Sequence, residues 1–233
     1  MNLTNSILLI DKPPGITSFD CIRILRRKLG IRKMGHAGTL DPMATGLMII
    51  GVGEGTKKLH EFLKLPKTYE VEILLGVKTD TGDVTGRELP ISSDQFPNND
   101  SIFKISHEKV NKTLQGMVGK LELPVPAYSA IKQGGEALYK KARRGEFVDV
   151  PVKTMEINSV EFLEVEPQVG KEVQPVENHR LIGKARFTVT SGTYIRSLAE
   201  EFGRRLGVPA TLAGLRRTRI GEFKVESAEP LIQ

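Results

Sequence analysis

The apolar positions of this chain fall into short runs of changing period, and each change marks a predicted element. Ser6 to Asp11 reads as a short strand that leads into the turn Lys12-Pro13-Pro14-Gly15. Ser18 then stands as an N-cap, and Phe19, Ile22, Leu25 and Leu29 follow at helical spacing until Gly30 stops the helix. The arginines of that helix lie off its apolar stripe. A polar stretch, Gly35 to Gly46, feeds the apolar run Leu47 to Gly53, a candidate buried element. Tyr69 to Leu75 begins with the alternation of a strand, and Thr79 to Gly86 is a loop by composition.

The second half continues in the same manner. The polar stretch Arg87 to Ser106 (87–106), with Pro90, Pro97 and Asn98, reads as a surface excursion. Glu108 to Val118 and Glu136 to Arg144 are helix candidates, the second ended by Gly145. Met155 to Val165 is a strand candidate, and Glu166 to His179 (166–179) reads as a hairpin loop. Ala185 to Thr190 alternates cleanly, after which Ile195, Leu198, Ala199, Phe202 and Leu206 mark an amphipathic helix stopped by Gly207 and Pro209. Strands and helices interleave without regular βαβ spacing. The expected class is therefore α+β with a central mixed, mostly antiparallel sheet flanked by helices.

Composition narrows the function classes. A length of 233 residues easily buries a core, and no apolar run approaches the ~18–20 residues that span a bilayer. Cys21 is the single cysteine and excludes an intramolecular disulfide. It suits a reducing compartment, and no signal-peptide pattern opens the chain, so the expected location is cytoplasmic. Cys21 and four scattered histidines show no metal-ligand spacing. Gly51-Val52-Gly53-Glu54-Gly55 fits neither phosphate-binding glycine pattern, and no cofactor is expected.

Charge adds a partner. The net charge is +6 and the pI about 9.4. Cys21 to His36 carries Arg23, Arg26, Arg27, Lys28, Arg32 and Lys33 with no acid. Gly203 to Lys224 carries Arg204, Arg205, Arg216, Arg217, Arg219 and Lys224 against Glu222 alone. A single basic run is most often a solvated helix face. Two such runs in a mixed-charge chain point to a polyanion, with nucleic acid favoured over a membrane surface because neither run carries exposed aromatic anchors.

The candidate chemistry lies in Gly35-His36-Ala37-Gly38-Thr39-Leu40-Asp41-Pro42-Met43-Ala44-Thr45-Gly46. Asp41-Pro42 alone would be a turn initiator. The whole stretch, however, closely resembles the active-site motif of the TruB family of bacterial tRNA pseudouridine synthases, G-H-x-G-x-L-D-P-x-A-T-G, and departs from it nowhere. Leu9-Ile10-Asp11-Lys12-Pro13, Gly53-Glu54-Gly55-Thr56-Lys57 and Lys67-Thr68-Tyr69 extend the resemblance. So do Pro126 to Lys132, Gly192-Thr193-Tyr194-Ile195-Arg196 and Leu215-Arg216-Arg217, in the family's order.

The resemblance implies the isomerisation of a tRNA uridine to pseudouridine, at position 55 in the TΨC stem-loop, with base flipping and no cofactor or metal. Asp41 matches the catalytic carboxylate, and the sequence leaves open whether it acts as nucleophile or base. Arg196 matches the arginine paired with it, and Tyr69 the tyrosine that stacks on the target base. His36 matches an RNA-contacting histidine and Leu215 a pocket-lining apolar residue, with Arg216 and Arg217 expected on RNA. Lys12 and Pro13 match a motif that supports the active-site loop, and Asp83 an acid for which turn capping is an equal reading. The chain is expected to be one catalytic domain over 1–233, monomeric, with no obligate protein partner. Many family members continue into a PUA-type domain for which residues up to Gln233 leave no room. The alternatives are a guide-RNA-dependent synthase related to dyskerin, and a tRNA-folding chaperone on the same fold.

Overall fold

The computed structural model describes residues 6–91, 105–167 and 180–231. The first half runs β1 (Ile7–Lys12), α1 (Ser18–Leu29), β2 (Met34–His36), β3 (Thr45–Val52), α2 (Leu59–Lys64) and β4 (Lys67–Leu75). Then come α3 (His107–Gln115), β5 (Gly119–Pro124), β6 (Lys132–Gln133), β7 (Glu136–Ala137) and α4 (Leu138–Arg143). The chain ends with β8 (Val152–Pro167), β9 (Leu181–Val189), α5 (Ile195–Leu206), β10 (Ala210–Ile220), β11 (Phe223–Lys224) and β12 (Glu229–Pro230). The strand order is β12-β1-β3-β10-β4-β9-β8-β5, with β2 on β3 and β11 on β10. β3 is antiparallel to β1 and β2 but parallel to β10, and β5 is antiparallel to β8. The expected α+β class with a mixed sheet holds.

Packing divides the chain into two units, each discontinuous in sequence. The first comprises 1–70, 187–191 and 214–233. Its core joins Ala37, Leu47, Ile49, Leu59, Ile220 and Val225, with Phe62 edge-on to Phe223 at 5.4 Å between centroids. The second comprises 71–186 and 192–213. There α3 packs on β8 and on α5, burying Val110, Leu114, Leu198 and Phe202.

Most predicted elements fall within two or three residues of the observed ones, and the exceptions have local causes. The N-cap of α1 is Thr17, whose hydroxyl accepts from Asp20 N at 3.0 Å while the Asp20 carboxylate accepts from Thr17 N at 2.8 Å. This reciprocal box outcompetes Ser18, which is buried and turned to another use. The helix expected at Glu136 begins at Leu138, because Glu136–Ala137 pair with Lys132–Gln133 across Gly134-Gly135. Both glycines have positive φ, which a tight two-residue hairpin turn requires. Gly53–Lys58 forms a 3₁₀ turn directly after β3. Of the excursion near 87–106, residues 87–91 fold back so that Leu89 N donates to Lys78 O at 2.9 Å; 92–104 lie outside the described residues. Most of the 166–179 loop, from 168 on, lies outside them too.

Candidate active site

β2 and β3 form a hairpin in register His36↔Ile50, and the Asp41 loop is its connection. Three buried side chains of the first unit hold that loop by its backbone. Lys12, 0% exposed, donates from Nζ to the carbonyls of Pro13 (3.0 Å), Pro42 (3.1 Å) and Ala44 (2.7 Å). The last two bracket the residues just after Asp41. Ser18 both donates to Leu40 O at 3.0 Å and accepts from Leu40 N at 2.8 Å, fixing the residue just before it. Arg217, 1% exposed, donates from Nε to Leu47 O at 2.7 Å and from Nη2 to Gly38 O at 3.1 Å, so it spans both ends of the loop. Asp41 itself is half-buried, and its carbonyl closes a turn by accepting from Ala44 N at 3.1 Å.

Gly46 shows how tightly this is built. Its φ is +104°, and a Cβ there would lie 2.3 Å from the Arg217 carbonyl oxygen. Only glycine combines that conformation with the close approach of β10. The loop is therefore a rigid platform rather than a flexible tip, which is what a catalytic carboxylate needs. Burial lowers the Lys12 pKa below the ordinary lysine value, while the Asp41 carboxylate is one of the charges that hold its proton on.

The other first-unit residues lie on neighbouring strands. β10 pairs with β3 at Arg216↔Thr45 and Arg217↔Gly46, so Leu215 to Arg217 stand beside the point where the Asp41 loop enters β3. β4 lies on the far side of β10, and Thr218 donates to Thr68 O at 3.3 Å, one residue before Tyr69. Tyr69 is 8% exposed. His36 is half-buried, and burial, then the Arg217 charge, pushes its pKa below the usual histidine value, so its ring is neutral at pH 7. Leu215 is half-buried.

Two of the residues expected on RNA sit otherwise. Arg217 does not face solvent; it is a buried brace whose guanidinium donates to Gly38 O and Leu47 O. That corrects its expected role as an RNA contact. Arg216 makes a two-pronged pair with Asp11, at 3.1 and 2.7 Å, and keeps part of its surface.

Arg196 belongs to the second unit, at the start of α5. It is 5% exposed and donates to Thr81 O at 2.9 Å and Tyr128 O at 3.1 Å, with Nε 4.0 Å from Asp83 Oδ2. Asp83 Oδ1 meanwhile accepts from Thr81 Oγ1 (3.0 Å), Thr85 N (3.0 Å) and Thr85 Oγ1 (2.5 Å). Asp83 thus caps its own loop and faces the arginine at once, so the two readings of that acid are compatible.

The basic runs are less bare than the sequence suggests. Lys33 pairs with Glu54 at 2.6 Å, and Glu54 also takes Lys57, which holds its carboxyl down at about 2 through the hydrogen bonds of those two lysines. In the second unit Arg204 and Arg205 both bond Glu201. Arg27, Lys28 and Arg32 remain exposed. No group of side chains that could hold a metal occurs among the described residues.

Known proteins share sequence and fold with this chain. The pattern of the TruB family pseudouridylate synthase (N terminal domain) matches residues 26–195. A tRNA pseudouridine synthase B of Xanthomonas oryzae pv. oryzae is 40% identical over 220 residues, 94% of this chain and 65% of that protein. One of Aromatoleum aromaticum is 37% identical over 229 residues, 98% of this chain and 67% of that protein. The chain thus spans about two thirds of the length of these relatives. Among solved structures, a Cbf5-Nop10-Gar1 complex superimposes with a TM-score of 0.68 at 25% identity, over 99% of this chain and 54% of that one. An archaeal box H/ACA sRNP Nop10-Cbf5 complex does so at 0.62 and 24% identity, over 98% and 52%, which speaks for the fold alone.

One expectation falls with these findings. The relatives are bacterial proteins and carry no compartment in their description, so the expected cytoplasmic localisation does not stand. No helix among the described residues is long and apolar enough to cross a membrane, which is a separate statement.

Proposed function

Because the chain belongs to the TruB family of pseudouridylate synthases, we propose that it isomerises a uridine of tRNA to pseudouridine, at position 55 in the TΨC stem-loop. The observation that carries this reading is the platform under Asp41: Lys12, Ser18 and Arg217 fix the backbone on both sides of one half-buried carboxylate. Residues 1–233 act in this reading as one catalytic domain and as a monomer.

The reaction breaks an N-glycosidic bond, turns the uracil and rejoins it through C5, without redox change or hydrolysis. The target base has to leave its stack first, which costs a few kcal/mol. Stacking on Tyr69 returns roughly 1–3 kcal/mol. His36, whose pKa burial lowers, is assigned by the family resemblance to contact the RNA around the flipped nucleotide. Asp41, ionised, adds to the sugar or base or removes a ribose proton; its rigid mounting serves either route. By the family resemblance Arg196 is assigned to pair with that carboxylate; within its own unit it bonds Thr81 and Tyr128 and faces Asp83. Exposed Arg27, Lys28 and Arg32 would grip phosphates, supplying affinity but little sequence information.

Relatives at 37–40% identity carry the tRNA synthase name, against 25% for the Cbf5 complex, which favours the tRNA reading over a guide-RNA one. Intact Asp41, Tyr69 and Arg196 favour an enzyme over a chaperone alone. Carbodiimide mapping of an unmodified tRNA transcript tests the proposal. One new adduct in the TΨC loop is the expected result, and adducts elsewhere or none would overturn it.

A further inference from the structure

Lys67 is a buried cation that neither the Asp41 platform nor the reaction uses. It is 5% exposed. Its Nζ donates to Leu63 O at 2.5 Å, Leu65 O at 2.7 Å and Ser191 Oγ at 3.2 Å. Ser191 Oγ in turn donates to Leu63 O, which closes the group into a ring. These oxygens come from separate pieces of the first unit. Leu63 and Leu65 lie at the end of α2, where the helix leaves carbonyls without intrahelical donors. Ser191 follows β9 and directly precedes the Gly192 to Arg196 motif. Lys67 opens β4, and Tyr69 lies two residues on, on the same face of the strand. Thr68 between them bonds Thr188 of β9 at 3.1 Å.

We propose that Lys67 is a positioning residue for Tyr69: its ammonium gathers the end of α2, the start of β4 and Ser191 into one node, and so sets where the Tyr69 ring stands. This rests on the assignment of Tyr69 to base stacking made above. The chemistry of the node explains the residue type. Three oxygens converge on one point, and a lysine ammonium offers three donors in a compact tetrahedral head. An apolar side chain of similar length would take the Lys67 donor from Leu65 O and leave Leu63 O only the Ser191 hydroxyl. An arginine could satisfy two of them with its planar fork but not reproduce the geometry. Ordinary capping of α2 would need only the first two bonds. The third, to Ser191, ties the strand that bears Tyr69 to the residues that follow β9.

The test uses the full chain with 3-fluorotyrosine incorporated and an unmodified tRNA transcript. The ¹⁹F signal of Tyr69 is assigned by its loss in Tyr69→Phe. Lys67→Met is expected to move the Tyr69 signal, to lower kcat by about tenfold or more and to leave KM within about threefold, the mark of an interaction made at the reacting base rather than in binding. Lys67→Arg should recover part of both. Ser191→Ala should shift the same signal in the same direction by less, and it decides the matter if Lys67→Met does not fold. A lower melting temperature with an unmoved Tyr69 signal and unchanged kcat would overturn the proposal and leave Lys67 a helix cap. If the unsubstituted chain forms no pseudouridine, the functional reading fails instead, and the fluorine signal alone then supports or overturns the placement of Tyr69 by Lys67.

Discussion

Lys12 Nζ sits 2.7 Å from the carbonyl oxygen of Ala44, thirty-two residues away in sequence, and it is the shortest of that ammonium's three bonds. The contact ties the end of β1 to the residue before β3 and leaves Asp41 on a braced turn. Lys12→Met keeps the stem but removes the donors to the Pro13, Pro42 and Ala44 carbonyls. Stability should fall by about 1–3 kcal/mol, and kcat should fall further than KM rises, because the carboxylate is displaced rather than lost. Urea unfolding and single-turnover kinetics on the same variant check this; an unaltered unfolding midpoint would contradict it.

Arg217 should behave as a core residue. Arg217→Leu leaves the Gly38 and Leu47 carbonyls without their donor and should cost about 3 kcal/mol of stability. The salt dependence of RNA binding should not change. If the substitution leaves stability intact and flattens that dependence, the arginine is on the RNA after all.

The exposed helix face gives the opposite result. Arg27 and Lys28 are exposed on α1. Replacing both with Gln should flatten the plot of log Kd against log salt by roughly 0.7–0.9 for each phosphate contact removed. Stability should stay within about 0.5 kcal/mol of the parent, as for surface substitutions generally. A slope equal to that of the parent protein would place this face away from the nucleic acid.

Lys67 supplies a pH signature. Burial, then the charge of Arg217, lowers its pKa to about 8. The unfolded value is about 10.4, so between about pH 8 and 10.4 the unfolded chain binds more protons than the folded one. Stability drawn from this group therefore rises with pH across that window and is flat below it. Urea unfolding of the parent and of Lys67→Met at pH 7.5 and 9.5 isolates the group. The parent should gain on the variant at the higher pH; a gap that stays constant or narrows would refute the assignment.

How far the sequence carried this picture depends on what kind of signal each residue sends. The helix over Ile195 to Leu206 and the strand at Ala185 were legible because periodicity and glycine stops are local. The Asp41 loop was legible as a motif, and Lys12 as its support. The brace formed by Arg217 was not, because an arginine in a basic run reads as surface. Its burial depends on β10 lying parallel to β3, a pairing about 170 residues apart in sequence. Ser18 and Thr17 are both good cap types in sequence, and only the return bond to Asp20, which the Thr-x-x-Asp pattern permits, gives the cap to Thr17. Glu54 and Glu201 both lie outside the basic runs in sequence, which conceals the pairs they form with them in space.

The most direct test of the account is hydrogen release from C5. Rejoining uracil through C5 expels the hydrogen that carbon carried, so a transcript labelled with [5-³H]uridine reports each turnover as free tritium. The chain should release one tritium equivalent per tRNA without any added cofactor. Asp41→Asn should release none while still binding the transcript with an affinity within about threefold of the parent. Tritium release by Asp41→Asn at a rate near that of the parent would remove Asp41 from the chemistry and, with it, the central claim.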